Sequence, residues 1–227
     1  MTYVIASSKI WRPQMVGNVA ERTGRKCLGI SSKDQLSPKY LTELKPEIIF
    51  FPHWSHIIPA EIYNRYECIV FHMTDLPFGR GGSPLQNLIA RSIYETKISA
   101  LGCVKELDAG PIYLKRPLSL HGTANEIYVR ANEIIEDMIV SLIVDKPAPV
   151  EQRGEVVTFK RRTERDGNLA ELSSLQQVYD YIRMLDADGY PKAFIETEFL
   201  RLEFSDASLK HGEVVAKVAI KIRARDE

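Results

Sequence analysis

Residues 68–84 read CIVFHMTDLPFGRGGSP and contain the clearest succession of secondary-structure signals in the chain. It begins with an apolar run, residues 68–71, whose length and composition are typical of a buried strand. His72 follows at once, and a glycine-rich loop then leads to Ser83 and Pro84. Serine at the N-cap and proline at the first helical position indicate that a helix begins there. The stretch therefore predicts a buried strand, a loop and a helix in direct succession.

The same alternation extends back to the N-terminus. Short apolar runs typical of buried strands come at residues 3–6, 26–30 and 47–51. The amphipathic segments around residues 16–23, 41–44 and 60–66 are long enough to be crossover helices. Strands that alternate with helices predict an α/β fold with a mostly parallel, Rossmann-like sheet.

A second helix start and a later break divide the chain. Residues 123–126, TANE, form a capping box in which threonine and glutamate each satisfy a free backbone N–H. The pattern breaks at residues 146–149, KPAP, and residues 193–222 are rich in strand-forming patterns. We therefore predict a larger domain at residues 1–155 and a small, strand-rich C-terminal domain at residues 156–227.

Composition sets broad limits on location and partners. Lysine plus arginine equal aspartate plus glutamate at 30 each among 227 residues, so no long-range field favours a nucleic acid or an acidic membrane. The three cysteines form no CxxC pair, which suits a reducing compartment. The N-terminus lacks a basic segment followed by a long apolar one. We expect a cytoplasmic protein with no nucleic-acid and no membrane partner.

His72 is the first candidate for chemistry, because the carboxyl ends of strands are where open α/β sheets bind ligands. The loop after the first strand, residues 7–11, lacks the glycines of a dinucleotide or phosphate site. The residues alone also fit a partly buried core histidine beside glycines that shape a turn. Likewise, LDAG at residues 107–110 also fits a simple turn in which Asp108 accepts a backbone N–H.

Together the two segments resemble a known family. A histidine followed by LP, RG and SP, and then by LDAG before another strand, resembles the formyltransferases that use 10-formyltetrahydrofolate. The likeness is strongest at residues 47–115. It is most similar to nucleotide-amino-sugar N-formyltransferases of the pseudaminic-acid-pathway type and to the formylation domains of peptide synthetases. It implies a folate-dependent N-formyltransferase whose catalytic domain is the Rossmann-like residues 1–155.

The resemblance also implies the site residues. His72 would be the catalytic histidine, which takes a proton from the attacking amine and gives one to the departing folate nitrogen. Asp108 would pair with it, favour the imidazolium and fix the ring. No metal is expected, since His53 and His56 have no evident third ligand. The folate pocket would be lined by His56, Ile57, Ile58, Thr74, Asp75, Leu76, Pro77, Gly82, Val104, Lys105, Glu106, Leu107 and Asp108.

One position departs from the family pattern. The family usually has asparagine two residues before the histidine, where it stabilises the oxyanion of the tetrahedral intermediate, and this chain has Val70. Loss of one oxyanion donor costs on the order of a hundredfold in rate. Either another donor substitutes or the activity is compromised; His56, Thr74 and protonated His72 are the candidate donors.

The resemblance implies an acceptor as well. Because the chain has no net positive charge, tRNA is disfavoured, and we expect a nucleotide-linked amino sugar such as a UDP-4-amino sugar. The alternatives are a carrier-bound aminoacyl group, as in peptide synthetases, and a catalytically silent folate- or nucleotide-sugar-binding protein. The basic run at residues 160–165 would be a solvated face or meet the nucleotide diphosphate. The strands at residues 193–222 are where a homodimer would pair.

Overall fold

A computed structural model describes residues 1–9 and 13–223. Ile10 and Trp11, in the loop after the first predicted strand, lie outside the described residues. The first elements are β1 (Thr2–Ala6), α1 (Met15–Thr23), β2 (Lys26–Ile30), α2 (Pro38–Leu44), β3 (Ile48–Phe51), α3 (Ala60–Tyr63) and β4 (Glu67–His72). Then follow β5 (Phe78–Gly81), α4 (Pro84–Ile89), β6 (Glu95–Gly102), β7 (Ile112–Ser119), α5 (Ala124–Asp145), β8 (Val157–Phe159), α6 (Leu175–Met184), β9 (Ala193–Glu196), β10 (Leu200–Lys210) and β11 (Glu213–Ile222).

The chain forms two compact units that interleave along the sequence. Unit 1 contains Met1–Arg80, Thr96–Leu118 and Val129–Thr158. Unit 2 contains Gly81–Glu95, Ser119–Tyr128 and the chain from Phe159 onward. The predicted domains at residues 1–155 and 156–227 stay a prediction.

Unit 1 is built on a six-stranded sheet in the order β2-β1-β3-β4-β6-β7. The first four of these strands run parallel, with Phe51 opposite Val70 in the register of β3 and β4. β6 runs antiparallel to β4 and places Ser99 opposite His72. The predicted mostly parallel α/β sheet is confirmed, and the carboxyl ends of β1, β3 and β4 share one edge.

The central strands are buried on both faces, because successive side chains of a strand point in opposite directions and every residue of β3 is buried. Ile49 and Phe51 pack with Leu41 of α2 and Ile62 of α3. On the alternate positions, the ring of Phe50 stacks on that of Tyr3 at 6.3 Å between centroids. This explains why the strands read as continuous apolar runs in the sequence.

Unit 2 contains an antiparallel sheet in the order β11-β10-β9, against which α6 packs. The predicted strand-rich C-terminal region is thus confirmed. Arg183 of α6 is only 1% exposed, and a buried charge of this kind requires partners. Its guanidinium donates to Asp180 at 2.7 Å and to the carbonyls of Leu120 and Gly122 at 2.6 and 2.9 Å.

Both predicted helices begin where expected, but only one of them has the predicted N-terminal cap. At α5, the N–H of Thr123 donates to Glu126 at 2.8 Å, and the N–H of Glu126 donates back to the threonine hydroxyl at 3.3 Å. At α4, Ser83 has a left-handed φ of 49° and does not cap the helix. Its hydroxyl instead accepts the N–H of Arg162 at 3.0 Å, so a long-range contact replaces the local one. None of the helices in the described residues is long and apolar enough to cross a bilayer.

Candidate active site

His72 is the last residue of β4, at the shared carboxyl edge of the parallel strands. It is 8% exposed, and its Nε2 lies 2.7 Å from the carbonyl oxygen of Gly79. Because a carbonyl only accepts hydrogen bonds, Nε2 carries the hydrogen and donates it. The loop after β4 therefore folds back on the end of its own strand and fixes the orientation of the imidazole.

This loop is held in turn by buried hydroxyl groups. Thr74 donates its hydroxyl to the same Gly79 carbonyl at 3.4 Å, and Ser99 donates to the carbonyl of Thr74 at 2.8 Å. The Ser99 oxygen also accepts the N–H of Leu76 at 3.4 Å. Since Ser99 sits opposite His72 in β6, two neighbouring strands together define where the Gly79 carbonyl points.

Asp108 faces the other ring nitrogen. Its Oδ2 lies 3.5 Å from Nδ1 of His72, which is the distance of an ion pair. Asp108 has a left-handed φ of 54°, a conformation that aspartate tolerates better than most residues. Gly110 has to be glycine, because a Cβ there would lie 1.8 Å from the carbonyl oxygen of Gly102. The LDAG turn thus packs tightly on the end of β6 and presents Asp108 to the end of β4.

The two nitrogens of His72 have different roles in this geometry. Nε2–H is committed to the Gly79 carbonyl, whereas Nδ1 faces a carboxylate. A protonated Nδ1 can donate to the Asp108 carboxylate, and an unprotonated Nδ1 has a lone pair that can accept a proton. The site can therefore take up and return one proton at Nδ1.

The first predicted pocket segment, His56–Ile58, follows β3. His56 and Ile57 are exposed, Ile57 by 89%, whereas Ile58 packs into the apolar cluster beside α2 and α3. The N–H of Ser55 donates to the hydroxyl of Ser8 at 3.0 Å and ties this loop to the loop after β1. Both loops open at the sheet edge where β4 ends, because the three strands are parallel.

His53, in the same loop, is a neutral histidine at neutral pH. Burial, aided by the charge of Lys9, lowers its pKa to about 4. Trp54 meets the ring of His56 edge to face, with centroids 5.3 Å apart. No group of three or more His, Cys, Asp or Glu side chains in the described part of the chain is placed to hold a metal ion.

The second predicted segment, residues 74–77, is buried except for Asp75. Asp75 pairs with Lys97 at 2.9 Å and with Lys115. Burial raises the pKa of Asp75, but the two ammonium groups outweigh that effect and leave the pKa lowered. No sequence pattern indicates either lysine, because their relation to Asp75 depends on the placement of β6 and β7.

The remaining predicted pocket residues lie in two places. Residues 104–107 form the exposed turn after β6, and their apolar members Val104 and Leu107 are 41% and 71% exposed. Gly82 belongs to unit 2, where a Cβ would lie 2.6 Å from Cα of Arg161. Of the predicted residues, the structure brings His72, Asp108 and Thr74 into one group, in which the Gly79 carbonyl accepts from His72 and Thr74 and Asp108 pairs with His72.

Val70 supplies no donor to this group. It is half-buried and packs with Trp54 and Cys103 against the apolar cluster. Among the candidate substitutes, the hydroxyl of Thr74 is already directed at Gly79. A further contact comes from Gln152, whose amide donates to the carbonyl of Asp108 from 44 residues away. No local pattern around Gln152 indicates this contact.

A separate cleft of about 400 Å³ opens at the other edge of the sheet, beside the amino ends of β3 and β4. Its lining includes Glu47, Glu67, Tyr113 and Lys146. Burial and the neighbouring Glu67 raise the pKa of Tyr113 to about 12. This cleft has no part in the group around His72, which lies at the carboxyl end of β4.

Comparisons with known proteins place the chain in a family. A solved structure of a methionyl-tRNA formyltransferase from Clostridium thermocellum is 46% identical, with a TM-score of 0.94, and the match covers 98% of this chain and 100% of that one. A curated methionyl-tRNA formyltransferase from Wolbachia pipientis is 25% identical over 200 residues, which are 83% of this chain. The family model for the methionyl-tRNA formyltransferase C-terminal domain matches residues 164–221.

The chain is shorter than the curated relatives, spanning 65% of the Wolbachia protein and 63% of one from Campylobacter jejuni. More distant solved structures share its fold. A sugar N-formyltransferase from a Shewanella species is 16% identical, covers 96% of both chains and has a TM-score of 0.68. HypX from Aquifex aeolicus in complex with tetrahydrofolic acid is also 16% identical, with a TM-score of 0.76 over 90% of this chain and 37% of that one.

These findings correct our prediction of the acceptor. The predicted nucleotide-linked amino sugar is wrong, as is the expected lack of a nucleic-acid partner, and neither the carrier-bound acceptor nor the silent binder finds support. The motifs around His72 were assigned to the transfer of formyl, a step common to all these acceptors, so they could not indicate which amine receives it. The zero net charge was equally uninformative, because it averages over the whole chain. The high identity to the Clostridium thermocellum enzyme over nearly the whole of both chains shows that this chain belongs to the methionyl-tRNA formyltransferase family.

Proposed function

We propose that the chain transfers a formyl group from 10-formyltetrahydrofolate to the amino group of methionine on methionyl-tRNA. The observation that carries this proposal is the 46% identity to a methionyl-tRNA formyltransferase over 98% of this chain and 100% of that one. The pairing of His72 with Asp108 supplies the proton transfer that the reaction needs.

The proposed mechanism requires one proton to be moved. The amine nitrogen of methionine bonds to the formyl carbon, and the bond between that carbon and the folate nitrogen breaks. Nδ1 of His72 accepts the proton that the amine loses and returns a proton to the leaving nitrogen. The Asp108 carboxylate stabilises the imidazolium between these steps, while Gly79 keeps the ring in place.

The sheet edge around His72 offers suitable surfaces for a folate. Ile57 and Leu107 are 89% and 71% exposed, although aliphatic side chains of this size are usually buried. A flat pterin or aminobenzoyl ring would cover them and gain the free energy of removing that apolar area from water. The backbone of residues 104–107 supplies N–H and C=O groups that can pair with the edge of a pterin.

The basic run of unit 2 supports a polyanionic acceptor. Lys160, Arg161 and Arg165 are exposed and form no ion pair among residues 1–9 and 13–223. Their backbone is fixed, because Asn87 donates to the carbonyl of Lys160 at 2.8 Å and Arg162 donates to Ser83 at 3.0 Å. Cations on a fixed backbone are well suited to meet tRNA phosphates.

The direct test is a formylation assay. The protein is incubated with methionyl-tRNA and 10-formyltetrahydrofolate, and formylmethionine is measured by mass spectrometry after the ester is hydrolysed. We expect product only when both substrates are present. N-acetylmethionyl-tRNA, whose amine is blocked, is the matched control. A folded preparation that binds the folate but leaves methionyl-tRNA unmodified would contradict the proposal.

A further inference from the structure

The turn that carries Asp108 is held by a side chain from a distant part of unit 1. Nε2 of Gln152 donates to the backbone carbonyls of Asp108 and Gly110 at 2.8 Å each. Oε1 of the same amide accepts from Nε and Nη2 of Arg80, at 3.1 and 2.8 Å. Both hydrogens and both lone-pair directions of the Gln152 amide are thus occupied.

These partners leave the Gln152 amide only one orientation. A guanidinium only donates and a backbone carbonyl only accepts, so a reversed amide would face like groups on both sides. The two bonds from Arg80 are charge-assisted and therefore stronger than bonds between neutral groups. Because Arg80 and Gln152 are both half-buried, water has limited access to compete for them.

The contacts close a circuit around the imidazole. Arg80 follows Gly79 in the chain, and the carbonyl of Gly79 holds Nε2 of His72. At the other end, Gln152 holds the turn whose Asp108 faces Nδ1 of the same ring. A displacement of Gln152 would therefore move the groups that contact both ring nitrogens of His72.

The Asp108 turn needs such support. Its left-handed φ of 54° is uncommon for a residue with a side chain, and the chain at Gly110 is pressed against Gly102. We infer that Gln152 and Arg80 are positioning residues that hold the Asp108 carboxylate beside His72, an inference that rests on the proposed formyl transfer. An amide is required at position 152, because a carboxylate would accept from Arg80 but could not donate to two carbonyls.

The variant Gln152→Glu tests this inference sharply, because it keeps the shape and the Arg80 contact but replaces the donors. We expect kcat to fall by roughly tenfold or more and KM for methionyl-tRNA to stay within about twofold of wild type. The matched control Arg153→Gln, at the exposed neighbouring position, should keep the wild-type kcat. A raised KM with unchanged kcat would overturn the inference.

A double-mutant cycle then asks whether Gln152 acts through Asp108. The loss of kcat in Gln152→Glu combined with Asp108→Asn should be smaller than the product of the two single losses. Strictly multiplicative losses would count against the positioning role. If Gln152→Glu does not fold, Arg80→Lys takes its place, since lysine keeps the charge but not the two-pronged contact.

A spectroscopic measurement separates this inference from the proposed function, because it needs no turnover. In protein labelled with ¹⁵N-histidine, the ring signals of His72 are identified by their loss in His72→Asn. We expect Gln152→Glu to shift the Nδ1 signal of His72 and to leave those of His211 unchanged. Unshifted His72 signals in folded Gln152→Glu would overturn the inference. If Gln152→Glu shifts the His72 signal but the wild-type protein does not formylate methionyl-tRNA, the positioning role is supported and the proposed function is contradicted.

Discussion

The imidazole of His72 is held from both sides, by a backbone carbonyl at Nε2 and by the Asp108 carboxylate at Nδ1. A ring fixed in this way can exchange a proton without first reorienting, which is a large part of what a catalytic site contributes. The two contacts come from different segments of unit 1, the loop after β4 and the turn after β6. The orientation of the His72 ring therefore depends on both segments.

We expect His72→Asn to lower kcat for formyl transfer by roughly a hundredfold. Folding and folate affinity should stay near wild type, because the asparagine amide retains a donor for Gly79. Single-turnover kinetics give the rate, and a fluorescence titration gives the folate affinity. His211→Asn, at an exposed position in unit 2, is the control with wild-type rate. Equal rates in the two variants would remove His72 from the mechanism.

His53 makes a separate prediction about stability and pH. Burial lowers its pKa to about 4 from an ordinary value of 6.5, so between these values the unfolded chain binds a proton that the folded chain excludes. The contribution to the free energy of unfolding is therefore complete above pH 6.5 and is lost as the pH falls toward 4. Urea unfolding of His53→Gln at pH 7, 6 and 5 should show a weaker pH dependence than wild type. An unchanged dependence would show that the ring is not the titrating group.

Much of the site could be anticipated at this scale, but not all of it. His72 and Asp108 were found because each stands in a short local pattern, and the structure sets them 3.5 Å apart. Gln152 and Lys115 carry no such pattern, since their contacts exist only after distant segments meet. Val70 was noticed only as a departure from the family, and its apolar packing explains the residue without supplying a donor.

At the scale of elements, the tight turn between β6 and β7 sets the position of Asp108. We expect Gly110→Ala to lower kcat by more than tenfold and to lower the melting temperature, because its Cβ would meet the Gly102 carbonyl and the turn would have to move. Gly17→Ala in α1 is the control, since nothing lies within 4 Å of its Cβ and alanine favours helix. Wild-type kcat in Gly110→Ala would mean that the turn is not rigid.

The elements themselves were largely predictable. Strands β1 to β4 agree with the apolar runs to within about a residue. For β1 and β3 the reason is that strands covered on both faces need apolar side chains, whereas β2 at the sheet edge is only partly buried. The Thr123 capping box was also correct, since all its partners lie within four residues. Ser83 was not, because Arg162 claims its hydroxyl from far along the chain.

For the molecule as a whole, a zero net charge conceals a local excess of positive charge in unit 2. Replacing Lys160, Arg161 and Arg165 with glutamine should raise KM for methionyl-tRNA by roughly tenfold and reduce its dependence on salt, with kcat little changed. A control that replaces Lys210, Lys217 and Lys221 removes the same total charge elsewhere in unit 2. If both triple variants raise KM for methionyl-tRNA equally, the overall charge of the protein matters and no particular binding surface is indicated. The sequence could not supply this distinction, because composition says nothing of which cations are paired.

The carbonyl of Gly79 that holds His72 belongs to the main chain, so every amino acid would carry this oxygen, but its position depends on a left-handed φ of 80° at Gly79. The orientation of the His72 ring therefore depends on the path of the loop and not on one particular side chain. A substitution in this loop is tolerable only where it preserves that path, which a side chain at Gly79 would oppose. A substitution at position 79 would therefore act on His72 through the backbone conformation, because the oxygen itself cannot be removed.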